Sequence, residues 1–351
     1  MKRPEFVDEL KGVPEISGGV WIYGIGESTM LLQQGLQRIE LKNFKGYCVD
    51  KQYINGSTAY GKPLISIDEV PQGDTVLINS LRPAAAQVML ENAKAKHKNA
   101  FMLADYVLKE NAEKVLQVYD LLGDQKSKEV YAEVISARMR GKKPAQGTCS
   151  ANQYFCWEEF STVDIGRSYV DCGAFVGDTI EQYIVGRQGL IDKIVAFEPD
   201  DRNLNALEYR LSRLKREWAL SDDIFEVIPC GLAEKTGELP FCATANSISS
   251  SFVDGTSENK QRKLITTIDK SIKEPFTFLK ADIESWEYSM LLGAKKMIRK
   301  CKPCIAITLY HNCVDLFSIP LLIASEELDY RFAVRHHSTL HGDTVLYAWV
   351  E

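Results

Sequence analysis

Residues 169–180 read Tyr-Val-Asp-Cys-Gly-Ala-Phe-Val-Gly-Asp-Thr-Ile, an apolar strand pattern that runs through a glycine turn into the start of a helix. Few architectures accept such a passage. Glycine at the mouth of a strand allows a close approach to the backbone, and glycine at a helix start allows tight packing, the device of parallel α/β sheets that bind ligands at their carboxyl edge. Strand patterns at 168–172, 193–198, 225–230, 277–283 and 304–310 alternate with helical ones at 178–187, 201–218, 286–299 and 315–327. That order predicts a parallel sheet covered by helices. The chain closes with Arg331-Phe-Ala-Val-Arg335 and Thr344-Val-Leu-Tyr-Ala-Trp-Val350, two strands a short loop apart, which predict an antiparallel hairpin.

The first part repeats the theme on a smaller scale. Val20-Trp-Ile-Tyr-Gly-Ile-Gly26 leads into a helix over 28–38, and Phe44 to Asp50 is a second strand ending in an acid. Short strands at 63–65, 75–79 and 100–104 and helices at 83–94 and 111–122 complete a smaller parallel α/β domain over 1–122. A helical, then turn-rich connection over 123–164 separates it from the larger domain at 165–351. The Gly24-Ile-Gly26 turn is the weaker of the two. A dinucleotide fingerprint asks for glycine or alanine at 29, where this chain has Thr29, although Asp50 is well spaced for a ribose. An NAD(P)- or nucleotide-sugar-binding role for this domain stays open beside a scaffold role.

Composition narrows the partners. Of 351 residues, 45% are apolar and 26% charged, which excludes a fibrous or disordered chain. Forty-two basic against forty-eight acidic side chains give −6, which argues against a nucleic-acid partner. Nine cysteines behind a start that lacks an apolar signal segment read as free thiols of a cytoplasmic protein. Cys301 and Cys304 have the spacing of a redox or metal pair, but Cys304 opens an apolar strand and no second pair stands nearby. The apolar stretches 303–314 and 316–325 are too short and too interrupted to span a membrane.

Within the large domain, the carboxylate of Asp171 is placed to meet an ammonium or a ribose, and Gly173 and Gly177 flank the turn. Glu198, at the tip of the next strand, suits ribose hydroxyls. The same residues also suit a plain turn, a helix cap and packing. Lys280-Ala-Asp-Ile-Glu-Ser-Trp-Glu287 puts Asp282 and Glu284 at a strand end and Glu287 at a helix start, where site and capping roles compete. His311 ends the strand 304–310 on the same edge, so its neutral imidazole can take a proton from a hydroxyl as that oxygen attacks; a core or capping histidine is the other reading. His336 and His337 read as an exposed loop.

Five stretches carry a resemblance: Tyr169-Val-Asp-Cys-Gly-Ala-Phe-Val-Gly-Asp-Thr, Val195-Ala-Phe-Glu-Pro-Asp, Phe278-Leu-Lys-Ala-Asp-Ile-Glu-Ser-Trp-Glu, Lys302-Pro-Cys-Ile-Ala-Ile-Thr-Leu-Tyr-His with Asp315 and Ile319-Pro, and Arg335-His-His-Ser with Asp343-Thr-Val-Leu-Tyr-Ala. In this order, over roughly 150–350, the chain resembles the FkbM-type family of S-adenosylmethionine-dependent methyltransferases. The resemblance implies a seven-stranded Rossmann-like sheet ending in the hairpin and an S-adenosyl-L-methionine cofactor. Asp171, Gly173 and Gly177 would surround the cofactor's amino-acid end, Glu198 its ribose and Leu232 its adenine. The expected reaction is O-methylation of a hydroxyl on a carbohydrate or another polar metabolite, with His311 and Asp282 catalytic. The family leaves open a divalent ion on His311, Asp282 and Glu284, and no metal is assigned here. A homodimer stays open as the assembly. The first domain resembles a nucleotide-binding-like region that precedes some such methyltransferases. Ser285 departs from the family's usual glycine, and would strain the turn or narrow the site if that glycine has positive φ. A non-catalytic binding protein with this fold is the remaining reading.

Overall fold

The computed structural model describes residues 4, 6–16, 18–97, 99–160, 163–243, 250–252 and 261–351. They form two compact units. One comprises Met1–Ala151 with Leu309–Leu321 and Ala333–Thr344, the other Asn152–Thr308 with Leu322–Phe332 and Val345–Glu351.

The first unit contains α1 (Phe6–Lys11), β1 (Val20–Tyr23), α2 (Glu27–Leu36), β2 (Phe44–Val49), β3 (Thr58–Ala59), β4 (Lys62–Ser66), β5 (Thr75–Ile78), α3 (Pro83–Lys96), β6 (Ala100–Met102), α4 (Leu103–Glu110), α5 (Ala112–Leu121) and α6 (Gln125–Arg140). Its sheet runs β3-β4-β2-β1-β5-β6, parallel except for the β3–β4 pair. Every residue of β1 and β5 is buried, as strands covered on both faces require. The apolar run expected at 100–104 ends after Met102, because Asp105 accepts the Met102 N–H at 3.1 Å and starts α4. Helix α6 has matched ends: Asp124 accepts the Ser127 N–H at 2.8 Å, and Gly141 takes the left-handed conformation at φ 59°.

The second unit builds on β7 (Ser168–Cys172), α7 (Asp178–Gly186), β8 (Lys193–Phe197), α8 (Asp201–Glu217), β9 (Phe225–Ile228), β10 (Gly231–Leu232), β11 (Gly237–Cys242), β12 (Ser251–Phe252), β13 (Arg262–Thr266), α9 (Ile268–Ser271), β14 (Phe278–Ala281), α10 (Glu287–Leu292), α11 (Lys295–Cys301) and β15 (Cys304–Thr308). After β15 the chain continues through α12 (Asp315–Ala324), β16 (Arg331–His336) and β17 (Thr344–Trp349). The large sheet has seven strands in the order β16-β17-β15-β14-β7-β8-β9. Strands β15, β14, β7, β8 and β9 are parallel and β17 runs antiparallel to β15, so the expected seven-stranded sheet with its closing hairpin is present. Tyr169, Tyr183 and Phe278 stack at 4.7–6.0 Å between ring centroids and seat α7 on β7 and β14.

Two features depart from the sequence reading. A four-stranded sheet, β10-β13-β11-β12, follows β9. Its two-residue strands, the proline at 240 within β11 and the exposed Arg262 of β13 hide its strand pattern. The helix expected over 286–299 is two helices broken at Gly293. A side chain there would bring its Cβ within 2.3 Å of the Ala233 carbonyl oxygen. No helix among the described residues is long and apolar enough to cross a membrane, and all nine cysteines are free.

Candidate active site

The site is built at the carboxyl ends of β7, β8 and β14. Strand β7 ends at Cys172, and the chain turns through Gly173 at φ 86° and Gly177 at φ 79° before α7. What demands glycine at 173 is the protein's own backbone: a Cβ there would lie 2.0 Å from the Asp282 carbonyl oxygen. At 177 it would meet the Leu207 side chain at 2.7 Å. The turn after β7 is thus pressed against the turn after β14 and against α8.

Glu198, one residue past β8, clasps this glycine turn. Its carboxylate accepts the Phe175 N–H at 2.9 Å, the Asp200 N–H at 2.8 Å and the Asn203 side-chain amide at 3.2 Å. Burial pushes its carboxyl up to about 7 against the pull of those donors. A carboxylate has about four acceptor positions, so one remains for a hydroxyl.

Asp171 is fully buried. One of its oxygens accepts the Thr179 hydroxyl at 2.6 Å, and the other faces the ammonium of Lys280 at 3.1 Å. Lys280 also donates to the Gly173 carbonyl at 2.6 Å and lies 5.3 Å from the centre of the Tyr154 ring. Burial pushes the Asp171 carboxyl up and works against the Lys280 charge, but Asp171 and then Asp282 hold Lys280 above its ordinary value. Removing one partner of such a pair costs about 3–5 kcal/mol, because the other is left buried and unpaired. Tyr154, itself buried, donates its hydroxyl to Asp282 at 2.6 Å. Neither Lys280 nor Tyr154 emerged from the sequence. For Lys280 the signal existed: a lysine inside the apolar strand Phe-Leu-Lys-Ala is tolerated only if paired.

Of the three acids after β14, Asp282 and Glu284 are half-buried and Glu287 fully buried. Glu287 takes the structural role: it accepts the Ile283 N–H at 2.8 Å and the Thr308 hydroxyl at 3.1 Å, tying the turn to the end of β15. The Glu284 carbonyl accepts the Ser251 hydroxyl at 3.1 Å. Glu284 and Ser285 have φ values of 56° and 77°. Ser285 therefore occupies the left-handed region where glycine is at ease, and a non-glycine residue there costs about 1–2 kcal/mol. Leu232, in β10, is buried beside Gly231, whose missing side chain leaves room for Phe252.

His311 lies three residues beyond the end of β15, the strand paired with β14, and is 1% exposed. Its segment groups with the first unit. There Arg138 donates to the Tyr310 carbonyl at 2.6 Å and the His341 carbonyl at 2.8 Å. His336 corrects the sequence reading. It closes β16 and is fully buried, with Nδ1 2.9 Å from the Thr344 hydroxyl, because the strand runs one residue further than its apolar pattern. His337 is half-buried, its Nδ1 2.9 Å from the Ser150 carbonyl oxygen. At the first glycine turn, the Thr29 hydroxyl donates to the Gly24 carbonyl at 3.0 Å. Asp50 accepts from Tyr23 at 2.8 Å and from Asn92 at 3.0 Å, so its carboxylate is engaged within the domain.

Residues 171–332 match the family described as "Methyltransferase FkbM domain". Among solved structures, the chain is similar to the methyltransferase FkbM of Methylobacillus flagellatus KT, with 21% identity, 99% of this chain and 94% of that one covered, and a TM-score of 0.57; this is a likeness of fold. An O-methyltransferase from Bacillus cereus in complex with SAH shares 15% identity, with 67% of this chain and 96% of that one covered and a TM-score of 0.35. An SAH-bound methyltransferase of Podospora anserina shares 11%, with 69% and 96% covered and a TM-score of 0.33. No curated protein matches the chain.

Proposed function

The chain belongs to the FkbM-type family of S-adenosylmethionine-dependent methyltransferases, and from that premise we propose that it methylates a hydroxyl of a carbohydrate or another polar metabolite. The observation that carries this reading is the Glu198 carboxylate, which grips the glycine turn inside the matched region and keeps one acceptor position for a ribose. In this proposal Gly173 and Gly177 shape the turn around the amino-acid end of S-adenosyl-L-methionine, Asp171 stands at the base of that turn, and Leu232 borders the adenine. The bound cofactor supplies a methyl group on a sulfonium, open to in-line attack. The protein's task is to orient a hydroxyl and remove its proton.

His311 is the base and Asp282 orients the acceptor or the imidazole. Each follows the carboxyl end of one of two paired parallel strands, and that edge is where open α/β sheets bind their ligands. Each of Asp282, Glu284 and His311 offers a ligand atom of the kind that holds a divalent ion, so transfer is to be assayed with Mg²⁺ and with EDTA. The first domain serves as a scaffold. The Thr29 hydroxyl and the engaged Asp50 leave no complete pyrophosphate turn or free ribose acid there. A polar acceptor, a cytoplasmic location and a homodimer complete the proposal.

The test has two stages. Calorimetry on the intact chain with S-adenosylhomocysteine and with NAD is expected to show binding of the first alone; tight NAD binding in its place would favour a sugar-modifying oxidoreductase. With an acceptor found among hydroxylated sugars and metabolites, single-turnover transfer is then measured in folded His311→Ala protein. Loss of a general base costs about 10²–10⁴-fold in rate with cofactor affinity nearly intact. A rate within about threefold of the parent rejects His311, given that expected range.

A further inference from the structure

We propose that Lys280 is a positioning residue for the cofactor turn: its ammonium fixes the Gly173 carbonyl and makes Asp171 an internal counter-ion instead of the receiver of the cofactor's own ammonium. The inference rests on the cofactor reading above. An ammonium has three N–H donors. Lys280 donates one to the Gly173 carbonyl oxygen at 2.6 Å, and its ammonium forms an ion pair with Asp171 Oδ1 at 3.1 Å, with the Tyr154 ring centre 5.3 Å away. The second Asp171 oxygen holds the Thr179 hydroxyl at 2.6 Å. Both carboxylate oxygens therefore serve the protein itself, in a residue with no exposed surface.

A ligand ammonium reaching Asp171 would have to expel the ammonium of Lys280, which is 3% exposed and held on two sides. The exchange gains no charge and loses the hydrogen bond to Gly173. The arrangement instead preorganises the turn. Gly173 is pinned through its carbonyl by Lys280 and through its bare Cα by the Asp282 carbonyl oxygen. Tyr154 extends the same network by donating to Asp282 at 2.6 Å. One lysine thus sets the turn beneath the cofactor and abuts the ring that orients the reaction-edge carboxylate.

The experiment uses the intact chain and S-adenosylhomocysteine as the probe, with Lys280→Met, Lys280→Gln and the double variant Asp171→Asn/Lys280→Met. Calorimetric affinity and melting temperature are read together. Hydrogen exchange of the backbone over 171–178 is followed without ligand. Folded Lys280→Met is expected to bind at least tenfold more weakly and to exchange at least tenfold faster across the turn. Lys280→Gln, which keeps an N–H for the Gly173 carbonyl, should recover part of both. The double variant removes the stranded carboxylate, so it should regain melting temperature while binding no worse than Lys280→Met. Affinity within threefold of the parent in folded Lys280→Met overturns the proposal. So does a further tenfold loss on adding Asp171→Asn, which would make Asp171 the direct ligand. If Lys280→Met does not fold, Lys280→Gln is compared with the parent by the same readouts, and unchanged affinity and exchange overturn the proposal. If the parent itself fails to bind the probe, the cofactor reading falls, and the exchange measurement alone decides whether Lys280 holds the turn.

Discussion

Burial pushes the Glu198 carboxyl up to about 7, so a ribose held as proposed would meet it in two protonation states across the neutral range. A ribose hydroxyl donates more strongly to the ionised form, so binding favours loss of the proton. S-adenosylhomocysteine affinity is therefore expected to rise from pH 6 to pH 8, by at most about tenfold for one titrating group near 7. The heat of binding should vary with the ionisation enthalpy of the buffer. Glu198→Gln should flatten the profile, and a flat profile in the parent would remove the ribose role. The same substitution disturbs the fold, because the carboxylate also holds Phe175, Asp200 and Asn203. That double duty is invisible in a sequence, where Glu198 is one acid at a strand tip. Ser285 is the opposite case. Its departure from the family pattern was legible, and the φ of 77° supplies the conformational reason glycine suits the position.

Among the elements, the strands β7, β8, β14 and β15 were legible because burial on both faces leaves mostly apolar runs, with the paired Asp171 and Lys280 as the buried charges inside them. The break between α10 and α11 was not. Gly293 has φ −83°, a conformation open to any residue, so nothing local asks for glycine. The demand comes from outside the helix, where the Ala233 carbonyl oxygen and the Thr267 side chain crowd the missing Cβ at 2.3 and 3.1 Å. Gly293→Ala is expected to destabilise the chain by about 1–3 kcal/mol, the range for overpacking against an element that cannot yield. Urea unfolding measures this. A loss under half a kilocalorie would mean that the turn after β10 moves away freely. The small sheet that contains β10 escaped notice for a related reason: its strands are too short to show a period, and the large sheet's helices supply none of its pattern.

For the whole molecule, the response to acid is set by buried groups that pull in opposite directions. Burial, and next the charge of Arg138, hold His336 and His341 down at about 4 from an ordinary 6.5. A depressed imidazole contributes stability that is complete above its unfolded value and lost as pH falls through the folded one, here between 6.5 and about 4. Each shift corresponds to about 3 kcal/mol at most. Glu198 works the other way, stabilising below its ordinary 4.5 and losing that contribution as pH rises through about 7. Asp105, which burial also pushes up to about 7, acts in the same direction as Glu198, so the two carboxyls offset the two imidazoles. Urea unfolding at pH 6.5 and 4.5 isolates the imidazole share: His341→Gln, which keeps a donor for the Lys142 carbonyl, should come out more favourably on acidification than the parent, and the same change in both proteins would exclude His341. These histidines sit in segments that the sequence assigns to the large domain and the fold gathers with the first 151 residues. There the Arg335 guanidinium donates to Ser127 at 2.7 Å, and Arg38 meets Asp315 at 2.7 Å. The chain is therefore not two cassettes joined end to end. Grafting its last two hundred residues onto another leader would sever Arg335 and Asp315 from those partners, so the closing segments cannot be moved without the opening ones and keep these bonds.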